Sequence, residues 1–214
     1  DKVVLDKLDL CDNDQPKLVE WNHFLSKHKN PKNKVRIGLI GKYVELHDAY
    51  KSISEAFIHA GAANEVNVKI VWIHSEDLTL ENVPQKLKGL DGILVAPGFG
   101  NRGTEGKVDA VRFAREHQIP FLGICLGMQM AVIEYARNVL NIEGAGSLEM
   151  DETCENPVIN LMEDQKNITE MGGTMRLGAW DCQITEDSKV FNAYKRTLIS
   201  ERHRHRYEFN DHIY

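Results

Sequence analysis

The sequence predicts an open, doubly wound, mostly parallel α/β sheet, and three observations point that way. Unbroken apolar runs recur at 35–40, 68–73, 92–96 and 120–124, the pattern of strands buried on both faces. Segments with helical periodicity lie between them, and alternating strands and helices imply parallel neighbours. The third and fourth runs each end in a glycine-rich turn, at 97–103 and 123–127. Open sheets of this kind bind ligands at the carboxyl ends of their strands.

Taken in order, residues 1–33 are polar, with one apolar patch at Leu18, Val19, Trp21, Phe24 and Leu25. They read as a linker carrying a short helix on which Trp21 is an anchor. The lysine-rich run 27–34 reads as solvated chain. The first strand, 35–40, runs into Gly41-Lys42-Tyr43. A helix over 48–60 follows, with Ile53, Ala56, Phe57 and Ala60 on one face. The spacing Gly38-x-x-Gly41 is not a dinucleotide fingerprint, which needs a third glycine. A second strand at 68–73, a short helix at 84–90, a third strand at 92–96 and a helix at 108–117 lead to the fourth strand and a helix over 128–140. Residues 145–157 read as polar loop, 171–178 as a glycine-punctuated turn, and 179–184 as an alternating strand. The chain closes on Arg202-His203-Arg204-His205-Arg206-Tyr207-Glu208, where strand alternation would put the three arginines on one face and the two histidines on the other.

Composition excludes several classes. With 214 residues, 42% apolar and 27% charged, the chain suits a soluble α/β domain. A net charge of −6 gives no reason to expect a nucleic-acid or bilayer surface. No apolar run approaches the roughly 20 residues that span a membrane. Four widely spaced cysteines without a Cys-x-x-Cys pair argue against zinc and against a disulfide framework, and fit a reducing cytoplasm. Neither an initiator methionine nor a signal peptide opens the sequence, so it is expected to be a piece of a longer chain.

The chemistry centres on Gly123-x-Cys125-x-Gly127. A glycine two places either side of a cysteine suits a sharp strand-to-helix turn, where a side chain at either flank would collide with backbone. Such a turn exposes the sulfur at a helix N-terminus, where free N–H groups favour thiolate. A buried structural cysteine is the alternative. The neighbouring 97–103 turn favours the reactive one, because a loop N–H from Gly98 or Phe99 and the N–H of Leu126 would together form an oxyanion hole. The reaction class that follows is acyl transfer through a cysteine thioester.

The motif Gly123-Ile124-Cys125-Leu126-Gly127-Met128-Gln129 resembles the nucleophile motif of the class I, triad-type glutamine amidotransferases. Pro97-Gly98-Phe99-Gly100-x-Arg102-Gly103, Glu149, Gly172-Gly173-Thr174-Met175-Arg176-Leu177-Gly178 and the 202–208 stretch narrow the resemblance to the amidotransferase domain of the CTP synthase family. The resemblance implies a flavodoxin-like three-layer fold over residues 34–214, with 1–33 as the tail of a preceding synthetase domain and a linker. It implies Cys125 as nucleophile with Gly98 and Leu126 as oxyanion donors, and a glutamine pocket made of Gly98, Leu126, Gly127, Met128, Gln129, Glu149 and Arg206. A free amino acid has an ammonium suited to Glu149 and a carboxylate suited to a guanidinium. No cofactor is implied for this domain. ATP with Mg2+, UTP and a tetrameric assembly are implied for the intact enzyme, with GTP as activator, and Arg176 as part of a lid that responds to it.

One departure stands out. The family completes its triad with a His-Pro-Glu motif, and these residues contain none. His203, His205 and His212 come nearest in position. The C-terminal part of the fold is therefore expected to be missing, and turnover by these residues alone to be poor. Alternatives keep the elbow and change the role: an amidotransferase of another pathway, a cysteine hydrolase of the same fold, or a regulatory module. Gln129 and Glu149 discriminate, since a peptidase needs no free-amino-acid recognition groups.

Overall fold

The computed structural model describes residues 2–10, 17–162 and 175–211, so Gly172, Gly173, Thr174 and His212 lie outside the described residues. The chain divides into two compact units, Asp1–Arg36 with Tyr50–Ile70, and Ile37–Ala49 with Val71–Tyr214. The first unit contains helices α1 (Lys2–Lys7), α2 (Val19–Lys29) and α3 (Lys51–Ala63). Helix α2 lies in the stretch read as linker. It packs on α3 through Phe24, whose ring centroid is 5.1 Å from that of His59. Trp21 stacks on Phe24 and stays half exposed, so Phe24 is the residue that docks.

The second unit carries the candidate site. The four-stranded sheet has the order β2-β1-β3-β4, from β1 (Asn33–Gly41), β2 (Val66–His74), β3 (Gly92–Val95) and β4 (Phe121–Gly123), and this unit holds residues 37–41 of β1, 71–74 of β2, and all of β3 and β4. Ile40 pairs with Val95 and Val95 with Gly123, both in parallel. The chain order reverses between β1 and β3, which opens a crevice beyond their carboxyl ends. Lys42, the 97–103 turn and Cys125 all sit at that edge. Helices α5 (Thr104–Glu116) and α6 (Leu126–Asn138) pack together, and their faces bury Val108, Val111, Leu126, Met130 and Ile133 against Ile40, Ile93 and Val95. Burial of such side chains contributes about 1.5–3 kcal/mol each.

Several boundaries differ from the sequence reading. Helix α5 starts at Thr104 rather than at 108, because Gly103 turns the chain with φ +65° directly before it. The short helix at 84–90 shrinks to α4 (Val83–Lys86). The 145–157 stretch is not all loop: β5 (Ala145–Ser147) pairs in parallel with β6 (Asn156–Leu161). A third strand, β9 (Tyr207–Phe209), joins β6 in antiparallel register. Strand β7 (Arg176–Gln183) forms an antiparallel hairpin with β8 (Leu198–His205), and α7 (Lys189–Tyr194) lies in the connection. The two histidines do share a face, with ring centroids 5.2 Å apart. Arg206 leaves the arginine row because the ladder breaks there, between β8 and β9.

Candidate active site

Cys125 lies one residue beyond the end of β4, after Ile124, and caps α6 with φ +53° and ψ −110°. A non-glycine residue there stores backbone strain, a recurrent property of nucleophile elbows. The flanking glycines are required by contact. A Cβ on Gly123 would stand 2.5 Å from the carbonyl of Gly127, and one on Gly127 would stand 2.1 Å from Val95 O. Ile124 N–H donates to Val95 O at 3.1 Å, and Gln129 N–H donates to Cys125 O at 3.1 Å, which ties the elbow to β3 and to its own helix.

The second loop, 97–103, is held by a lysine the sequence reading did not single out. Lys42 Nζ donates to Phe99 O at 2.5 Å and to Gly100 O at 2.8 Å. In a planar trans peptide the N–H points opposite to the C=O. Drawing the Phe99 carbonyl toward Lys42 therefore turns the Gly100 N–H the other way, where it donates to Glu149 Oε1 at 3.0 Å. Glu149 is itself fixed by its own N–H donating to Ser147 Oγ at 3.1 Å, off the end of β5.

These pieces enclose a chamber of about 240 Å³, lined by Gly98, Phe99, Cys125, Gln129, Glu149, Met175, His205, Arg206 and Tyr207. Of the residues expected to form a glutamine pocket, Gly98, Gln129, Glu149 and Arg206 line it. Gln129 is buried, and its Nε2 donates to Tyr207 O at 3.1 Å. Leu126 is wholly buried as a side chain and contributes only its N–H, which hydrogen-bonds the Cys125 sulfur. Gly127 and Met128 do not line the chamber. The Gly127 N–H is engaged by Ile124 O at 2.9 Å, and Met128 lines a neighbouring apolar groove with Tyr135 and Phe209. Arg176 stands outside the chamber wall, paired with Glu208 at 3.3 Å and stacked 4.6 Å over Trp180.

The resting charge state differs from the thiolate that a helix N-terminus suggests. Burial pushes the Cys125 thiol up; the Leu126 N–H opposes this, Glu149 adds to it, and Lys107 opposes it. Desolvation here outweighs a dipole effect that is typically about 0.3–1 kcal/mol. Burial and the neighbouring His203 push His205 down, which keeps its imidazole neutral. His203 Nδ1 and His205 Nε2 are 2.9 Å apart, and among the described residues no imidazole hydrogen-bonds the Cys125 sulfur. The resting nucleophile is a protonated thiol in a chamber with one carboxylate and one guanidinium.

Fold, elbow and chamber together define a class-I glutamine amidotransferase domain. The chain belongs to that family, whose model matches residues 45–213. Its relatives are more particular. CTP synthase of Flavobacterium psychrophilum is 64% identical over 210 residues, which is 98% of this chain and 39% of that protein. CTP synthase of Clostridium acetobutylicum is 54% identical over 215 residues, again 39% of its length. The chain thus spans 39% of the length of these curated relatives. Among solved structures, the glutaminase domain of Trypanosoma brucei CTPS with bound acivicin superposes with a TM-score of 0.76 at 41% identity, covering 82% of this chain and 68% of that one.

Proposed function

We propose that these residues form the glutaminase domain of a CTP synthase, which hydrolyses L-glutamine through a Cys125 thioester. The observation that carries the reading is the chamber itself, in which Cys125 shares one small space with Glu149, Arg206 and the Gly98 turn. Glutamine's ammonium pairs with Glu149 and its carboxylate with Arg206, leaving the side-chain amide at the sulfur. The sulfur adds to the amide carbon. The oxyanion accepts from the N–H groups of Gly98 and Leu126, donors typically worth about 2.7–4 kcal/mol each. The C–N bond breaks, and the amide nitrogen takes the thiol proton through a base and leaves as ammonia. Water then adds to the thioester, releasing glutamate and restoring the thiol. The raised thiol pKa makes that base essential.

The likeness to CTP synthases supports a wider reading of the whole protein. The ammonia serves an ATP-dependent amination of UTP to CTP, with ATP, Mg2+ and UTP handled by a synthetase domain, GTP as activator, and a cytoplasmic homotetramer as the assembly. Arg176 belongs to a lid element beside the site and governs activation by GTP more than basal hydrolysis, and Gly127 and Met128 contribute to the pocket by shaping the elbow. Among the described residues no helix is long and apolar enough to cross a membrane.

The test is labelling by a glutamine-analogue chloroketone or diazoketone. The expected result is modification at Cys125, slowed by free glutamine. Labelling that is indifferent to glutamine overturns the amidotransferase reading in favour of a cysteine hydrolase of the same fold.

A further inference from the structure

Beneath the Gly98 turn lies a buried cation with no role in the scheme above. Lys107 sits in the first turns of α5 and is wholly buried. Its helix is set tightly. A Cβ on the adjacent Gly106 would stand 2.1 Å from Ser75 O, so it is the glycine that lets α5 lie this close to the 75–78 segment. The Lys107 Nζ donates to Ala96 O at 3.2 Å, and it lies 3.8 Å from the point a Cβ on Gly98 would occupy. Among the described residues no carboxylate pairs with it. A buried ammonium without a counter-ion is expensive, and a methionine or leucine would fill the same volume without that penalty.

We infer that Lys107 is a positioning residue for the acyl-transfer chemistry: its ammonium is the fixed buried cation that offsets the negative charge acquired by Cys125 and by the oxyanion above the Gly98 turn. The inference rests on Cys125 being the nucleophile. Its charged surroundings agree. Lys107 faces Lys42 and Cys125; Lys42 in turn faces Arg102, Glu149 and Glu76, and Cys125 faces Glu149 and Lys107. Burial and Lys42 push the Lys107 amine down to about 8 while Cys125 pulls it up, so it is still mainly protonated at neutral pH. Lys42 already donates to two carbonyls. The anion missing from Lys107 at rest is the one the reaction creates on the other side of a glycine.

The experiment is alkylation of Cys125 across pH in the wild type and in Lys107→Met, with neutral iodoacetamide and anionic iodoacetate in parallel. Loss of the cation is expected to slow iodoacetamide about tenfold at pH 7, shift the midpoint of its pH profile up by about one unit, and slow iodoacetate by more. A purely structural lysine would change both reagents alike and leave the midpoint in place, which would overturn the inference. If Lys107→Met does not fold, the wild type still decides. The iodoacetate-to-iodoacetamide rate ratio falls between pH 7 and 9 if Lys107 supplies the charge, and a ratio flat across that range refutes it. A wild-type Cys125 that neither reagent modifies overturns the nucleophile reading itself, which separates that failure from this one.

Discussion

Substituting Gly127 by alanine tests the elbow at the point where its geometry is least forgiving. The added Cβ would stand 2.1 Å from Val95 O, 2.8 Å from the Val95 carbonyl carbon and 3.1 Å from its Cβ, whereas ordinary contact begins near 3.4 Å. Val95 O cannot yield easily, because it already accepts the Ile124 N–H at 3.1 Å and belongs to the central strand β3. The start of α6 must therefore move by about 1 Å and carry Cys125 with it, a displacement that costs a reacting group on the order of 10²-fold in rate. Overpacking of this kind costs about 1–3 kcal/mol. For a chain of this size that lowers the Tm by roughly 2–12 °C. Gly98→Ala is the control: its Cβ meets nothing nearer than 3.5 Å, so its Tm is expected to stay within about 2 °C of wild type, a shift smaller than about 1 kcal/mol. The assay pairs thermal unfolding with the second-order rate of chloroketone labelling at Cys125. Gly127→Ala that unfolds and labels like wild type would refute the claim that contact with Val95 dictates the glycine.

Glu149→Gln removes the charge that helps hold the thiol up, so iodoacetamide should modify Cys125 several-fold faster at pH 7 while protection by glutamine weakens; slower alkylation would contradict the assigned electrostatics. Lys107 gives a pH signature. The folded amine is pushed down to about 8 from 10.5, so the folded state releases its proton first, and stability relative to Lys107→Met rises as pH climbs through that interval. The penalty, about 3 kcal/mol, is fully present below pH 8, and urea unfolding at pH 7 and 10 that shows no such divergence counts against it. Arg115 donates to both oxygens of the buried Glu134, at 2.8–3.1 Å. Arg115→Ala removes the counter-ion of that carboxylate, which then accepts only from Asn138 Nδ2 at 3.2 Å among the described residues, and is expected to cost about 3 kcal/mol, whereas Glu134→Gln leaves Arg115 free to reach solvent and costs less; chemical denaturation ranks the two. Steady-state glutamine hydrolysis by this 214-residue polypeptide, which contains no His-Pro-Glu, is expected to be slowed by 10²–10⁴-fold (roughly a general base's contribution) while Cys125 still labels with the analogue, and rapid turnover would show that one of these 214 residues serves as base.

How far the sequence could be read depended on how local the physics was. The elbow was legible because two close approaches, at Gly123 and Gly127, demand glycine at fixed spacing from Cys125. The parallel sheet was legible because strands buried on both faces must be apolar throughout, as β3 is. Strand β5 was missed because Ala145-Gly146-Ser147 bears almost no side chain, although all three residues are buried. Arg206 was expected on the arginine face, yet the ladder breaks at that residue and turns it into the chamber. Lys42 and Lys107 were not singled out in the sequence. A signal for Lys107 did exist: it falls three, four and seven places before Ala110, Val111 and Ala114, on the buried face of α5.

Those two lysines alter how the chamber works. The elbow alone suggests a thiol ionised by its helix, but burial and Glu149 hold the proton on. A resting thiol is the less reactive state. Once an ammonium-bearing ligand pairs with Glu149, the carboxylate no longer opposes ionisation of the sulfur. The contributions of Leu126 N–H and Lys107 then act without that opposition. Because Glu149 also holds the Gly100 N–H of the loop that Lys42 anchors, one carboxylate links substrate recognition, thiol ionisation and oxyanion-loop geometry. An isosteric amide at that position separates the three: it keeps an acceptor for Gly100, removes the charge that restrains the thiol, and weakens the attraction for the ammonium. Greater reactivity toward a plain alkylator with poorer recognition of glutamine is therefore what this arrangement requires.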